Sequence, residues 1–579
     1  MTPPSDSQTP AFDSPHHLGP QYRRLMLGRL RDDQFDVLIV GGGITGMGCA
    51  LDAVSRGLRV AVLEQRDIAS GTSSRSSKLI HGGLRYLEQL NFRLVREALR
   101  ERSLLLTRLA PHLVSPVQFL YPLRHRFWER WYVGAGILLY DMLAKMGGNP
   151  LPGHRHLSRT RALEEIPALA KHSLVGGIQY YDTQVDDARH TLAVARTAAA
   201  LGAAVGTSLN VSGLIRADGR VTGATVTCLE TGEVIDVRAR HVINATGVWT
   251  DDIESMAGRS GVDVTASKGV HLVVPRDRIA GRSGMIVRTK QSVLFVIPWG
   301  RHWLIGTTDT AWNLDLAHPA ASVADIDYLL GEINQVLEVP LTTADIEGVF
   351  AGLRPLLSGE SDSTSKLSRE HGVWHTAPGL TTVAGGKYTT YRVMAEDTVD
   401  TVVTDLGGGA PASTTADLPL LGADGFQELW DRRVELADEA GLQTEEIERL
   451  LRRHGGLTQE VLAIIAARPD LAQPLPGSPD YLLAEAFYAV VGEGALHLDD
   501  VLTRRTRISV ESWDRGVSAG EAIAPLMAEL LGWDDAAVAR ELEHYRARVA
   551  AERESQTMSD DHTADAARLG APDVRRLGK

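Results

Sequence analysis

Three glycines and one acidic residue near the start of the chain have the spacing of a nucleotide-binding loop. Gly41, Gly43 and Gly46 form a G-x-G-x-x-G pattern, and Glu64 follows 23 residues after the first of them. Such glycines permit a tight turn, let the backbone approach a pyrophosphate, and let a helix pack closely on a strand. The helix N-terminus attracts the anion, and a carboxylate at the position of Glu64 accepts hydrogen bonds from ribose hydroxyls. The pattern therefore predicts a dinucleotide site.

The loop after Glu64 indicates which dinucleotide is bound. Residues 70–78 read SGTSSRSSK, and they are followed by His81-Gly82-Gly83. An NAD-binding domain usually continues into a helix at this point. A loop of hydroxyl groups and glycines suits an extended dinucleotide that needs several neutral hydrogen-bond donors. We therefore favour FAD over NAD.

The predicted elements around these residues form a strand–helix–strand unit. Val37–Val40 is an apolar, β-rich run typical of a strand buried on both faces, and apolar residues recur at helical spacing from Ile44 to Val54. A second apolar run, Val60–Leu63, ends at Glu64. A unit of this size pairs two parallel strands. Farther along, the patterns predict a helix over residues 188–202, strands over 222–245 and an almost entirely helical region over 426–553.

The composition is that of a globular protein with several domains. The chain has 579 residues, 44% of them hydrophobic and 23% charged, and its net charge is −13. The acidic balance argues against nucleic acid as a partner and requires any anionic ligand to be held by a local cluster of cations. Two cysteines, Cys49 and Cys228, exclude a disulfide scaffold, and we predict no metal site. Neither an export signal nor a membrane-spanning segment is recognisable, so we expect a cytoplasmic protein.

A series of longer motifs resembles a known family. They are SSKLIHGGLRYLE (76–88), YYDTQVDDARH (180–190), NATGVW (244–249), KGVHLVVP (268–275), FVIPW (295–299), IGTTDT (305–310), AGLRPL (351–356), SRE (368–370), GGKYTTYR (385–392) and EGALHLDDVLTRRTRI (493–508). In this order they resemble the motifs of the aerobic, FAD-dependent glycerol-3-phosphate dehydrogenases. The resemblance covers roughly residues 35–550.

The resemblance implies an α/β fold of three parts. These are a discontinuous FAD-binding dinucleotide domain, an inserted mixed-sheet substrate-capping domain and an all-helical C-terminal domain. We expect the oxidoreductase core at residues 34–410 and the helical domain at 416–553. Within the core, we assign flavin binding to residues 34–115, 180–265 and 345–410, and the cap to residues 116–179 and 266–344. Residues 1–33 are predicted to be a disordered leader and residues 554–579 a disordered tail.

The resemblance also implies a reaction, the oxidation of sn-glycerol 3-phosphate to dihydroxyacetone phosphate. Hydride would pass to flavin N5, and the electrons would continue to a quinone. Two alternatives stay open on the sequence: a glycerol-3-phosphate oxidase that reduces oxygen, and a non-catalytic flavin-bound scaffold. The cations of the predicted site argue against the scaffold.

The substrate phosphate sets a requirement for positive charge. Burying its nearly two negative charges requires several cations, and arginine suits this because its planar fork binds phosphate oxygens in pairs. The resemblance assigns substrate binding to Arg85, Tyr86, Arg354, Arg369 and Lys387. It also gives Arg354 and Lys387 a part in catalysis.

A base must take the proton of the substrate's C2 hydroxyl, and histidine titrates in the right range. The resemblance favours His271 in the KGVH motif and leaves His81, near the predicted flavin ring, as the alternative. The residues predicted to bind FAD are Gly41, Gly43, Ile44, Thr45, Gly46, Glu64, Thr72, Ser73, Ser77, Lys78, Leu79, His81, Thr246, Gly247, Gly386, Lys387 and Thr389.

Residues 119–146 combine basic and aromatic side chains as bilayer-binding segments do. The apolar part, Val133 to Tyr140, is too short to span a membrane. Two interpretations stay open: peripheral contact with the inner face of the cell membrane, or a core helix with a basic loop. The C-terminal helices leave homodimerisation open as well. The residues concerned are Arg124, Arg126, Arg130 and Lys145, with Trp128, Trp131 and Tyr132.

Overall fold

The computed structural model of the chain describes residues 12–83, 91–125, 128–148, 150–258, 261–289, 293–357 and 370–575. Two large sheets form the core, and a helical domain follows them. The predicted three-part α/β fold is confirmed in this arrangement.

The first sheet has eight strands. They are β1 (Gln34–Val40), β2 (Val60–Leu63), β7 (Ala204–Gly206), β8 (Leu209–Ala217), β9 (Arg220–Cys228), β10 (Val234–Asn244), β17 (His371–Ala377) and β18 (Leu380–Gly385). The order is β17-β18-β10-β1-β2-β7, and β9 joins β10 to β8. Strands β18, β10, β1, β2 and β7 are parallel to their neighbours within this run. The carboxyl ends of these five strands therefore lie at one edge of the sheet.

Apolar residues on both faces of β1 place it at the centre of the core. Val37 and Ile39 pack in one hydrophobic cluster, whereas Leu38 and Val40 pack in another on the opposite face. This arrangement follows from the alternation of side chains along a strand and explains the uninterrupted apolar run. The covering helices are α1 (Pro20–Asp32), α2 (Ile44–Ser55), α6 (Asp187–Ala200), α7 (Thr250–Met256) and α9 (Tyr391–Asp405).

The second sheet has ten strands and is mixed, because β4 and β12 are parallel while the other pairs are antiparallel. Its order is β15-β11-β14-β13-β12-β4-β6-β3, with β16 paired to β11 and β5 to β6. The strands are β3 (Leu79–Ile80), β4 (Val114–Leu123), β5 (Arg155–Ser158), β6 (Gly176–Val185), β11 (Val264–Pro275), β12 (Gly284–Arg288), β13 (Val293–Trp299), β14 (His302–Gly306), β15 (Thr310–Trp312) and β16 (Gly348–Leu357). Its helices are α3 (Phe92–Leu104), α4 (Trp128–Met146), α5 (Arg159–Glu165) and α8 (Val323–Asn334).

The C-terminal domain is helical, with one short hairpin. The helices are α10 (Phe426–Asp431), α11 (Arg433–Ala440), α12 (Thr444–His454), α13 (Thr458–Ala467), α14 (Leu483–Val491), α15 (Leu498–Asp500), α16 (Ile508–Glu511), α17 (Val517–Leu531), α18 (Asp535–Ser555) and α19 (Asp561–Leu569). The hairpin consists of β19 (Pro474–Leu475) and β20 (Ser478–Leu482). Helices α10 to α18 share one apolar cluster that is separate from those of the sheets, whereas α19 packs against the second sheet.

The predicted disordered leader is wrong over residues 12–33, where Leu18 is already buried in the core of the first sheet. Helix α1 buries Met26 and Leu30 against the first sheet, and the Tyr22 hydroxyl donates to the backbone carbonyl of Ala203 at 3.1 Å. The polar composition concealed this helix because two buried side chains one turn apart are enough to dock it.

The predicted disordered tail is also wrong over most of its length. Helix α18 continues to Ser555, and α19 buries Ala564 in a cluster with Trp312. Beyond it, the buried Arg575 guanidinium donates to the Asp500 carboxylate at 2.8 Å. The tail is ordered by partners far away in sequence, which local composition does not reveal.

The assignment of segments to the two sheets needs a correction as well. The predicted flavin-binding segments 180–265 and 345–410 contain most of β6 and all of β16. Both strands belong to the second sheet instead. Their partners are β4 and β11, which lie far from them in sequence. Strand pairing depends on such distant partners, so apolar patterns do not show which sheet a strand joins.

Candidate active site

A cavity of about 390 Å³ lies between the two sheets. One wall consists of the loops that follow β1, β2, β10 and β18, at the carboxyl edge of the first sheet. The other wall comes from β11 and β16 of the second sheet. Ligands of open parallel sheets bind at this carboxyl edge, so the position matches the predicted dinucleotide site.

The glycine loop at this edge has almost no room for side chains. Gly41 has a φ of +111°, and a Cβ there would lie 2.6 Å from the carbonyl oxygen of Ala245. A Cβ at Gly46 would lie 2.0 Å from the carbonyl oxygen of Gly41. The two glycines therefore allow β1, α2 and the loop after β10 to pack closely together. Gly46 itself does not line the cavity, so its role is in this packing rather than in contact with the cofactor.

The N-terminus of α2 opens on this loop. Its N-cap residue Gly43 provides no side-chain cap, and the Ile44 N–H donates to the Ser73 hydroxyl at 2.9 Å. Helix N-termini with free N–H groups are ready sites for a phosphate. The loop, the helix and the Ser73 hydroxyl together fit a pyrophosphate.

Glu64 lies at the end of β2, in the lining of the cavity. Its carboxylate accepts the backbone N–H of Gly42 at 2.7 Å and that of Arg66 at 2.8 Å. Burial raises the pKa of this carboxyl group, while the two N–H groups oppose that rise. The side chain is thus held in place beside the glycine loop, where a ribose would lie.

His271 stands on the opposite wall, on β11. Its ring stacks on Phe350 with 4.8 Å between centroids, and Nε2 is hydrogen-bonded to the Ser77 hydroxyl at 2.9 Å. Among the described residues, Nδ1 has no hydrogen-bond partner although it is buried. Burial, with smaller contributions from Arg354 and Lys78, lowers the pKa of His271 to about 3. The imidazole is therefore neutral at physiological pH, and a neutral ring has one nitrogen that can accept a hydrogen bond.

Two cations face the same space. Arg354 lies on β16, and its guanidinium donates to Thr307 Oγ1 at 3.2 Å and to the Thr308 carbonyl at 3.2 Å. Lys387 follows the end of β18, just before α9. Both line the cavity together with His271. The arrangement offers positive charge and a neutral base next to a dinucleotide loop.

Comparison with known proteins agrees with this geometry. The FAD-dependent oxidoreductase family profile matches residues 36–392, and that of the C-terminal domain of alpha-glycerophosphate oxidase matches residues 413–538. The chain is 56% identical over 559 residues to glycerol-3-phosphate dehydrogenase 2 of Mycobacterium tuberculosis, covering 96% of this chain and 95% of that protein. The chain belongs to the FAD-dependent glycerol-3-phosphate dehydrogenase family.

Similarity to more distant members of the family also extends over most of this chain, at lower sequence identity. The chain is 38% identical to human mitochondrial glycerol-3-phosphate dehydrogenase, over 92% of this chain and 76% of that protein. The crystal structure of the glycerol-3-phosphate dehydrogenase from Bacillus halodurans complexed with FAD superposes with a TM-score of 0.76 at 30% identity, covering 92% of this chain and 98% of that one. FAD is thus the cofactor of this family member, as predicted.

The structure brings most of the predicted residues of this family member into one cavity. Those that line it are His271, Arg354, Lys387, Gly41, Gly43, Ile44, Thr45, Glu64, Thr72, Ser73, Ser77, Leu79, His81, Thr246, Gly247, Gly386 and Thr389. The predicted substrate residues Arg85, Tyr86 and Arg369 lie outside the described residues. Their roles stay predictions.

Lys78 departs from its predicted place in the FAD site. Its side chain is buried and donates to Asp187 at 2.7 Å and to the Ser74 carbonyl at 3.0 Å. Lys78 is not among the residues that line the cavity between the two sheets, which we call the large cavity. Its position within the motif suggested a cofactor contact, but a carboxylate on α6 directs it into the protein instead.

Sequence reasoning missed several residues of the cavity wall. Trp249 and Phe295 line it and belong to the NATGVW and FVIPW motifs, so the motifs carried a signal for them. Asn210 on β8 and Asp252 on α7 line it too, but they fall outside every motif. Only the tertiary structure shows that these two residues, on β8 and α7, line the cavity.

Proposed function

We propose that this chain oxidises sn-glycerol 3-phosphate to dihydroxyacetone phosphate and passes the electrons through FAD to a quinone. The observation that supports this most is the convergence of His271, Arg354 and Lys387 in one cavity with the glycine loop. The cavity thus combines a proton acceptor, phosphate-binding charge and a dinucleotide site. Relatives named glycerol-3-phosphate dehydrogenase support the choice of substrate.

In this proposal each residue has one task. FAD, when bound, supplies the group that accepts a hydride from the substrate carbon C2. Arg354 and Lys387 hold the substrate phosphate, because a buried dianion must be balanced by hydrogen-bonded cations. His271 takes the proton of the C2 hydroxyl, and its contact with Ser77 and its stacking on Phe350 hold the ring in place.

Arg354→Gln is expected to raise the KM for glycerol 3-phosphate by roughly 10- to 100-fold, because a hydrogen bond to a charged group contributes about 1.5–3 kcal/mol. Steady-state kinetics with a dye acceptor measure this change. Arg288→Gln, which alters an exposed arginine on the second sheet, serves as the matched control and is expected to leave KM unchanged. An unaltered KM in Arg354→Gln would remove that residue from the phosphate site.

Helix α4 offers a contact with lipid, where a quinone would be found. Its outward face is a stripe of exposed apolar side chains, and Trp131 is 79% exposed. Such a stripe is typical of helices that lie in a bilayer interface. No helix of the described chain is long and apolar enough to cross a membrane. The exposed residues of the stripe are Trp128, Trp131, Tyr132, Leu138, Met142 and Met146.

The inward face of α4 reaches the cavity wall. The Tyr140 hydroxyl is buried and accepts the backbone N–H of Gly82 at 2.9 Å. Gly82 follows His81, which lines the cavity. The same helix therefore connects the reaction space with the apolar stripe, which supports a lipid-soluble electron acceptor.

Trp131→Glu combined with Leu138→Glu is expected to abolish most binding to vesicles of anionic phospholipid, because two charges would enter the apolar stripe. Flotation of the FAD-loaded protein on a density gradient measures the bound fraction. Leu201→Glu, at an exposed leucine after α6, is the matched control and is expected to float like the parent protein. Equal flotation of all three proteins would exclude α4 as a membrane contact.

The deciding experiment for the proposed function is an anaerobic titration of the FAD-loaded protein. Glycerol 3-phosphate is expected to bleach the yellow flavin absorbance, whereas glycerol at the same concentration is expected to leave it unchanged. A water-soluble quinone is then expected to restore the colour. Stoichiometric peroxide on admission of air, with no reaction toward quinone, would identify an oxidase instead. If glycerol 3-phosphate did not bleach the flavin, the non-catalytic flavin-bound scaffold would be the remaining interpretation.

A further inference from the structure

A second cavity, of about 120 Å³, lies where the loop after β2, strand β16 of the second sheet, the C-terminal domain and the tail meet. Among the residues that the structure describes, nine arginine and lysine side chains line it, against three carboxylates. An excess of buried positive charge of this kind is costly unless it is balanced. The pairing of these cations therefore decides what the cavity can hold.

Six of the nine cations are balanced by carboxylates. Arg66 pairs with Asp573 at 2.8 Å, and Arg515 pairs with Glu552 at 3.1 Å. The other four, Lys78, Arg504, Arg507 and Arg575, likewise form ion pairs of 2.8 Å or less with aspartates. These pairs also account for the carboxylates Glu552 and Asp573 of the lining, and the third carboxylate, Asp499, pairs with Arg504 at 2.9 Å.

The remaining three arginines, among the described residues, form no ion pair with a carboxylate. Arg75 donates to the carbonyl of Ala317 at 2.9 Å. Arg548, which is 7% exposed, donates to the carbonyl of Ala571 at 3.3 Å and contacts the His318 ring. Arg568 donates to the carbonyl of Arg548 itself at 2.8 Å. Neutral acceptors hold their geometry without cancelling their charge.

Burial and the neighbouring cations lower the pKa of two of these arginines, Arg75 and Arg548. Burial, followed by repulsion from Arg568, Arg504 and Arg548, lowers the pKa of Arg75 to about 9. Burial and repulsion from Arg568 lower the pKa of Arg548 to about 10, while Asp499, Asp573 and Glu552 oppose that change. An anion among the three side chains would remove this repulsion.

We propose that this cavity is a second oxyanion site, separate from the substrate site, in which Arg75, Arg548 and Arg568 bind one phosphate group. The volume has room for a few water molecules of on the order of 30 Å³ each, which suits one tetrahedral oxyanion. Arginine forks bind such oxygens in pairs. The ligand class is inorganic phosphate or a small phosphomonoester.

The position gives the site a structural consequence. Arg568 lies on α19, and the carbonyl of Ala571 that holds Arg548 lies just beyond it. Arg75 also lines the large cavity, so its side chain borders both spaces. A bound phosphate would therefore tie the tail to the loop that contacts FAD.

The test is calorimetric titration of the FAD-loaded protein with inorganic phosphate at constant ionic strength. Because the proposed substrate site would also bind phosphate, the Arg354→Gln variant is the parent for this measurement. In that background we expect one phosphate per chain. Adding Arg568→Gln is expected to weaken this binding at least about tenfold, and Arg548→Gln, added separately, is expected to do the same. Arg546→Gln, at an exposed position on α18, is the matched control and is expected to retain the binding.

Hydrogen exchange provides a readout that tests the site even if one variant folds poorly. Phosphate is expected to slow exchange in residues 561–575 of the Arg354→Gln protein and to leave them unaffected in its Arg568→Gln derivative. Repeating the titration with glycerol 2-phosphate distinguishes a phosphomonoester from the free ion. Absence of phosphate binding in the Arg354→Gln protein, or equal binding in the Arg568→Gln and Arg548→Gln derivatives, would overturn the proposal.

Discussion

Gly46→Ala is expected to yield a protein that binds FAD roughly 10- to 100-fold more weakly and loses most of it on purification. The added Cβ would lie 2.0 Å from the carbonyl oxygen of Gly41, a backbone atom that no side-chain rotation can move away. Helix α2 would have to shift away from β1, and overpacking of this kind costs about 1–3 kcal/mol. The shift would move the N–H groups at the N-terminus of α2, against which we propose that the FAD pyrophosphate binds. The ratio of flavin to protein absorbance measures the loss.

A second glycine within a helix provides the control for this substitution. Gly331 lies in α8, and a Cβ there would meet no atom within 4 Å. Gly331→Ala is expected to keep its full flavin content, since alanine also favours the helix. Far-ultraviolet circular dichroism of the Gly46→Ala protein separates loss of FAD from loss of the fold. A Gly46→Ala protein with stoichiometric FAD would show that the close contact of α2 with β1 is not needed.

His271→Ala is expected to lower turnover by about 10²- to 10⁴-fold while the protein retains its FAD, because a positioned general base contributes a factor of this size. The neutral imidazole borders the same cavity as Arg354 and Lys387, and its Nδ1 has no partner among the described residues. Stopped-flow measurement of flavin reduction isolates the chemical step from the quinone step. Because the phosphate contacts remain, the KM is expected to change much less than kcat.

The control for this prediction is another buried histidine on a strand. His241 lies on β10, where its ring contacts Asp405 and Thr381, away from the cavity. His241→Ala is expected to lower thermal stability but to leave the rate of flavin reduction per folded molecule close to that of the parent. If His271→Ala reduced its flavin at the parent rate, His271 would have no part in proton transfer. The alternative base, His81, would then be tested in the same way.

Short-range requirements of the backbone are readable in the sequence. Gly46 is a glycine because a Cβ there would meet the carbonyl oxygen of Gly41, five residues earlier, and Gly41 is a glycine because its φ of +111° is a backbone conformation that favours glycine. Strand β2 ends at Leu63, directly before the charged Glu64, where the apolar run stops. All four residues of this strand are apolar, and all four are buried. For the same reason the FAD loop, α2 and α6 agree with their predictions.

The resemblance to known motifs predicted further site residues that lie far apart in the sequence. His271, Arg354 and Lys387 come from three distant segments, and only known motifs predicted that they share a site. The structure brings them together because β11 pairs with β16 and both face the end of β18 across the cavity. Nothing in the spacing of these residues would have indicated this convergence.

What the sequence determined by itself was therefore the dinucleotide loop and the elements that carry it, because their constraints act between neighbours along the chain. Only the tertiary structure decided that Lys78 turns to Asp187, that Met26 and Leu30 dock α1, and that the tail encloses a second basic cavity. It also decided which face of α4 remains exposed. These outcomes depend on partners up to several hundred residues away, and the free energy of such contacts exists only once the chain has folded.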